Sequence, residues 1–394
     1  LVAGQAKLSY DETGGYLASL LRELGVPVSS QTLVFSKTSL QRHRIAPRTP
    51  RALYFNDDVY VGYCKAGDVL EVSAVDPKLG TVFYTVDQDA SRKPRFTRQT
   101  DNCLLCHGSS QTQGVPGHVL RSVFSDPHGM PLLAEGTYRV DQTTPFEHRW
   151  GGWYVTGKHG NQEHMGNLVI GARRVARPVD NAAGLNVTDL SSRFTTSGYL
   201  SPHSDIVALL VLEHQAMAHN LITKAHFECR EALHAEETLN REMKLPPTYR
   251  WDSTASRIRS VGDALADYLL FRGEAPLTAK VEGTSGFATE FARRGPRDPK
   301  GRSLRDFDLE RRLFRYPLSY LIYSSAFDAM PQRVRDHVLE RIWKVLAGEE
   351  AKEFGHLSAD DRRAIREIVL ATKTNLPACW KRNSASLDAA RGGQ

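Results

Sequence analysis

The chain has 394 residues, enough for two or three structural units, and its 41% hydrophobic and 24% charged residues are ordinary for a protein with a buried core. The net charge is +6, but bases and acids are interleaved, with no zinc-finger spacing and no dense Lys/Arg block, which argues against a nucleic-acid partner. No stretch approaches the roughly eighteen uninterrupted apolar residues of a membrane span, and the best run, 206–212, is halted by Glu213 and His214, so no transmembrane segment is expected.

Taken in chain order, residues 1–10 show no basic region followed by an apolar one, so no signal peptide is visible. Residues 10–25 predict an amphipathic helix, with Leu17, Leu20, Leu21 and Leu24 at helical spacing. From Ala52 the texture changes. Runs 59–63, 69–75 and 81–86 are rich in β-branched and aromatic residues, with turn signals at 65–68 and 76–80, and predict a β-meander. Strand-like runs continue at 119–124, 137–140, 153–156 and 168–170, the first two flanking the hairpin signal Asp126-Pro127-His128-Gly129. From residue 205 the pattern turns helical, with helices expected over 205–241, 254–271, 304–327, 331–346 and 358–372 and a long loop over 283–301. The plan is α+β. It has an N-terminal helix and meander (1–101), a segment around the cysteine motif (102–200), a helical part (201–380) and a flexible tail (381–394).

The chemistry concentrates at Cys103-Leu104-Leu105-Cys106-His107, the C-x-x-C-H spacing of covalent haem attachment. Two thiols bracket one tight turn, so each can add to a vinyl group of the same porphyrin while the next residue offers imidazole to the iron. A zinc half-site would need a second ligand pair at short spacing, which the remaining cysteines do not supply. A thiol–disulfide redox pair would follow a strand of a βαβ unit, which is not predicted here. Of the other cysteines, Cys64, Cys229 and Cys379, at most one pair can close a disulfide, and the sequence does not choose which.

This motif resembles that of c-type cytochromes, and the rest of the chain is similar to uncharacterised bacterial monohaem c proteins. The resemblance implies one covalent haem c held by Cys103, Cys106 and His107 in an exported, periplasmic setting. The strands around the motif predict a β-rich haem-bearing part followed by a helical part, not the small all-helical cytochrome c fold. Met165 follows His107 at a separation similar to that of the methionine ligand in small cytochromes c. It lies in a polar His/Gly loop and is expected as a distal ligand, with His164, His118 and Met130 as alternatives and an open iron as another. Eleven of the fourteen histidines lie between His107 and His234, which marks this segment as the one to search. Arg149 and Trp150, beside Trp153 and Tyr154, are candidates to bind haem propionates and porphyrin faces, as are Arg121, Arg173 and Arg174 for the propionates.

On a helical wheel Glu213 falls in the apolar stripe of Ile206, Leu209, Leu210, Met217 and Leu221. It reads as a proton-transfer group, with His164 the other first choice, as a second metal ligand together with His214, or as half of a buried pair with an arginine. His219 and His226 lie opposite that stripe, two turns apart. Two functions remain open. One is a haem oxidoreductase acting on a small oxidant or an organic substrate. The other is a six-coordinate electron carrier whose helical part docks a redox partner protein, an acidic one by the basic charge balance.

Overall fold

The computed structural model describes residues 7–171 and 179–382; Arg173, Arg174 and residues 383–394 lie outside them. The strands are β1 (Thr32–Val34), β2 (Arg51–Phe55), β3 (Val59–Tyr63), β4 (Val69–Asp76), β5 (Gly80–Asp87), β6 (Phe96–Gln99), β7 (Arg121–Val123), β8 (Thr137–Arg139) and β9 (Trp153–Tyr154). Seven of them form one antiparallel sheet in the order β6-β5-β4-β3-β2-β1-β9, and β7 pairs with β8 as a separate hairpin. Short side chains make the corners. Asn56 Oδ1 accepts from the backbone N–H of Asp58 (3.1 Å) and Val59 (2.8 Å) to turn β2 into β3. Asp76 does the same for Lys78 and Leu79 before β5 begins at Gly80, whose φ of +73° suits glycine.

Among the described residues the α-helices are α1 (Leu17–Glu23), α2 (Leu104–His107), α3 (Ile206–Glu242), α4 (Asp252–Leu269), α5 (Phe287–Arg293), α6 (Ser325–Asp328), α7 (Gln332–Ala347), α8 (Ala359–Thr372) and α9 (Ala378–Arg382). Strand alternation gives the sheet two different faces. Tyr54, Val61, Val72 and Val86 pack with Leu17, Leu20 and Leu21 of α1. Phe55, Tyr60 and Val75 join the main core built on α3, α4 and α7. The sheet and the helical part therefore share a core.

Helix α3 has 37 residues, about 55 Å at 1.5 Å per residue. Asp205 caps it, accepting from Val207 N (2.8 Å) and Ala208 N (3.1 Å). By length and composition α3 would suffice to cross a membrane, but 94% of its most apolar window is buried inside the protein.

The architecture is α+β, a β region followed by a mainly helical one. Four local expectations are corrected. The first helix is shorter than 10–25, because Asp11 accepts from Thr13 N and Gly14 N and holds that entry as a turn. No strand forms at 168–170, where Asn167 has φ +66° and its N–H is spent on Trp153 O. Residues 304–327 are irregular until Tyr320. Asp308 bonds the backbone of Glu310 and Arg311, Leu309 has φ +58°, and Pro317 forbids helix continuation. The 283–301 connection holds α5.

Candidate functional site

Cys103 is the N-cap of α2 and Cys106 lies one turn on, so both thiols sit on one short turn. Cys103 is half-buried, Cys106 is exposed, and none of the five cysteines forms a disulfide. Leu105, between them, is 79% exposed, the most uncovered of the large apolar side chains described. His107 is tethered from behind. Its Nδ1 lies 2.8 Å from the carbonyl oxygen of Gly117, and Gly117 N–H donates back to His107 O at 2.8 Å. A carbonyl only accepts, so Nδ1 carries the proton and Nε2 presents a lone pair. Burial holds this imidazole below its ordinary range and so favours the neutral, ligating form, against the opposing pull of the Gly117 hydrogen bond. The Phe83 ring packs against it, centroids 4.8 Å apart.

The segment behind His107 is fixed by the core helix. Asn220 of α3 accepts from His118 N–H (2.9 Å) and donates to His118 O (2.7 Å). Gly117 is required here, because a Cβ would stand 2.1 Å from Asn220 Oδ1. The His118 ring is inward of His107, with Nε2 2.8 Å from Ser73 Oγ, Nδ1 3.4 Å from Thr81 Oγ1, and its face 4.1 Å from Tyr60. Both nitrogens are engaged, so His118 is not disposed as a distal ligand.

Arg51 and Glu71, 2.5 Å apart on the same sheet face, are the charged groups acting on His107 and Cys103. Gly62 leaves the guanidinium room to lie across the sheet, since a Cβ there would come 2.3 Å from Arg51 Nη2. Arg51 Nε is buried with no acceptor among the described residues.

These residues suit a covalent haem: two free thiols on one turn, an imidazole with its outer nitrogen open, an uncovered leucine between the thiols, and an orphaned guanidinium N–H for a propionate. Arg51, Glu71, Phe83, Tyr60 and Asn220 were not found from sequence. Glu71, Ser73 and Thr85 alternate with Leu70, Val72 and Val86, a pattern that reads as a solvent face.

The other expected site residues gather elsewhere. Arg149 and Glu213 form a buried ion pair at 2.8 Å. The other Arg149 donors go to Thr144 O (2.8 Å) and Gln142 O (3.0 Å), so this guanidinium is committed to the core rather than offered to a propionate. Burial pushes Glu213 up to about 7 against the pull of Arg149, and its Oε1 makes no well-formed hydrogen bond, with the Trp150 indole as the neighbouring donor. The arginine-pair reading of Glu213 is the one the geometry matches.

Trp150 is 2% exposed and stacks edge-on to His164 at 5.2 Å, a core ring rather than a porphyrin cover. His164 Nε2 lies 3.2 Å from His159 Nε2 and its Nδ1 accepts from Gly166 N–H; desolvation takes it down to about 3. Met165 is also a core residue, packed with Phe124, its sulfur accepting from Ser122 Oγ at 3.5 Å. The contacts of this cluster run to Ser122, Gln142, Thr144, Phe146 and His159, those of His107 to Phe83, Gly117 and His118, and the two sets share no residue. Met130 is 51% exposed, and Arg121 bonds Thr137 across the β7–β8 hairpin.

Comparison with protein-family models, curated proteins and solved structures gave no match to this chain.

Proposed function

We propose that this chain is an exported monohaem c-type redox protein, with one haem attached through Cys103 and Cys106 and His107 as the proximal ligand. The observation that carries this reading is the His107–Gly117 tether at 2.8 Å, which leaves Nε2 unprotonated beside two free thiols on one turn. When bound, haem c supplies one-electron exchange between ferric and ferrous iron. The chain's own groups orient and tune that site. Gly117 sets the tautomer of His107, Asn220 makes its anchor rigid, and Arg51 offers a buried N–H to an acidic haem substituent.

Cys106 and Leu105 are exposed, which supports electron exchange with a partner protein at that edge of the site. The net charge of +6 suits an acidic partner. His164 and Glu213 are spent in the core, so neither is disposed to pass protons to a small oxidant or organic substrate at the iron.

The test is expression with periplasmic haem-attachment machinery, then denaturation and acid–organic extraction. Haem stays with the wild-type polypeptide and leaves when Cys103→Ala and Cys106→Ala are combined. Complete extraction from the wild type refutes the reading. Optical spectra with and without cyanide then separate carrier from enzyme, since a carrier is low-spin and slow to bind cyanide.

A further inference from the structure

We infer that Tyr60 is a redox-active tyrosine that gives one electron towards His107 through His118 and its proton to a hydrated polar seam around His219. This rests on the haem reading above and adds a second redox centre to it.

Tyr60 has two unlike ends. Its ring lies 4.1 Å from His118, whose ring is 6.4 Å from His107, so two short steps link the phenol to the proximal ligand. Its hydroxyl accepts from Gln215 Nε2 at 2.8 Å, and Gln215 Oε1 takes the hydroxyl of Tyr320 at 2.5 Å. Beyond that lies a seam between the β2–β3 turn, α3 and the loop carrying Arg305. There His219, 1% exposed and edge-on to Tyr60 at 6.3 Å, completes no hydrogen bond at either ring nitrogen although the Asp57 backbone is close. Asp57 Oδ1, Asp58 Oδ1 and Arg305 Nη1 are likewise buried without partners among the described residues, while Asp57 Oδ2 pairs with Arg305.

A stacked core tyrosine beside Phe55 would account for the ring but not for orphaned donors and acceptors collected at its polar end. Buried polar atoms in such numbers are satisfied by ordered water. The Asp57 side chain is 33% exposed, so the seam leads towards solvent.

The site solves a specific difficulty. A buried phenol resists ionisation, and burial drives Tyr60 well above the ordinary tyrosine range. Electron loss must therefore be matched by proton loss to a nearby base, and neutral His219 with seam water provides one. The reaction that draws on it is reduction of a hydroperoxide. Hydrogen peroxide takes two electrons and two protons to give two waters. Tyr60 would supply one electron and become a neutral tyrosyl radical, its proton passing to His219 and the seam; a ferrous haem would supply the second electron and become ferric, and solvent would supply both protons.

The experiment uses the haem-loaded protein, reduced to the ferrous state, mixed with one equivalent of hydrogen peroxide and freeze-quenched for electron paramagnetic resonance, after haem content has been measured on the same sample. The wild type gives a tyrosyl signal that narrows with ring-deuterated tyrosine, Tyr60→Phe abolishes it, Tyr320→Phe retains it, and His219→Leu slows its appearance. Should Tyr60→Phe fail to fold, the deuterated wild type and His219→Leu carry the test. Covalent haem with no tyrosyl signal, or a signal undiminished in Tyr60→Phe, overturns the role of Tyr60 alone. Absence of covalent haem overturns the functional reading and this one with it.

Discussion

Asn220 satisfies both backbone groups of His118 with a single side-chain amide, 2.9 Å to the N–H and 2.7 Å to the carbonyl. The core helix thereby fixes the loop whose preceding residue holds His107. Asn220→Ala strands a buried donor and a buried acceptor, at a cost of about 2–4 kcal/mol in urea unfolding. Gly117→Ala should act on the same contact from the other side, by the collision of its Cβ with Asn220. A loss below about 0.5 kcal/mol for Asn220→Ala, the size of an ordinary surface change, would show that the clamp is not rigid.

Glu213 gives a pH signature. Its folded value, pushed up to about 7 by burial, lies above the 4.5 of an ordinary glutamate. Between these values the native state keeps a proton that the unfolded chain has lost, so this group's contribution to stability falls as pH rises from about 4.5 to about 7. Glu274, also raised to about 7 by burial, acts in the same direction. His164 and His214, taken down to about 3, act oppositely, since the unfolded chain gains their protons first as pH drops below 6.5. The net slope is therefore mixed, and the difference between wild type and Glu213→Gln isolates the one group. Glu213→Gln should be relatively more stable at pH 7 than at pH 5, and an identical pH dependence for the two proteins refutes the assignment. Arg149→Leu removes the pull that holds Glu213 down, so the acid keeps its proton to higher pH and the cost climbs towards about 3–5 kcal/mol only as pH rises further above 7.

Legibility in the sequence followed how local the determinants were. The strand expected at 59–63 is found at Val59–Tyr63, because Asn56 and the 65–68 turn bracket a β-branched and aromatic run. Helix α8, expected over 358–372, starts after Ser358, which closes a reciprocal capping box with Asp361. Residues 304–327 misled because apolar side chains there recur at helical intervals while Asp308 and Pro317 break the backbone. The motif was legible because its three residues are nearly contiguous. Its support was not, since Arg51, Glu71, Ser73 and Asn220 meet only after strands from the first hundred residues pack beside α3. The wheel put Glu213 in the core, but only the fold names Arg149 as its partner.

On the proposed haem reading, Met165 decides how far the distal side of the iron would draw on the segment the sequence singled out. Its side chain is 5% exposed, its sulfur accepts from Ser122, and its N–H donates to Arg149 O at 3.0 Å. A residue so placed is a packing element, and the two roles separate cleanly under two substitutions. Met165→Ala opens a cavity and should cost about 2–5 kcal/mol whichever role is true. Met165→Leu conserves volume and should cost less than about 1.5 kcal/mol. Leucine cannot ligate iron, so if the sulfur were the sixth ligand, Met165→Leu would abolish a far-red sulfur-to-iron band, lower the reduction potential and create cyanide reactivity in a protein of nearly unchanged stability. The packing seen here leads to the opposite outcome: Met165→Leu keeps the wild-type optical spectrum and potential, and Met165→Ala changes stability alone. Loss of such a band in Met165→Leu would place Met165 on the iron and require the β7 side of the molecule to rearrange when haem is attached.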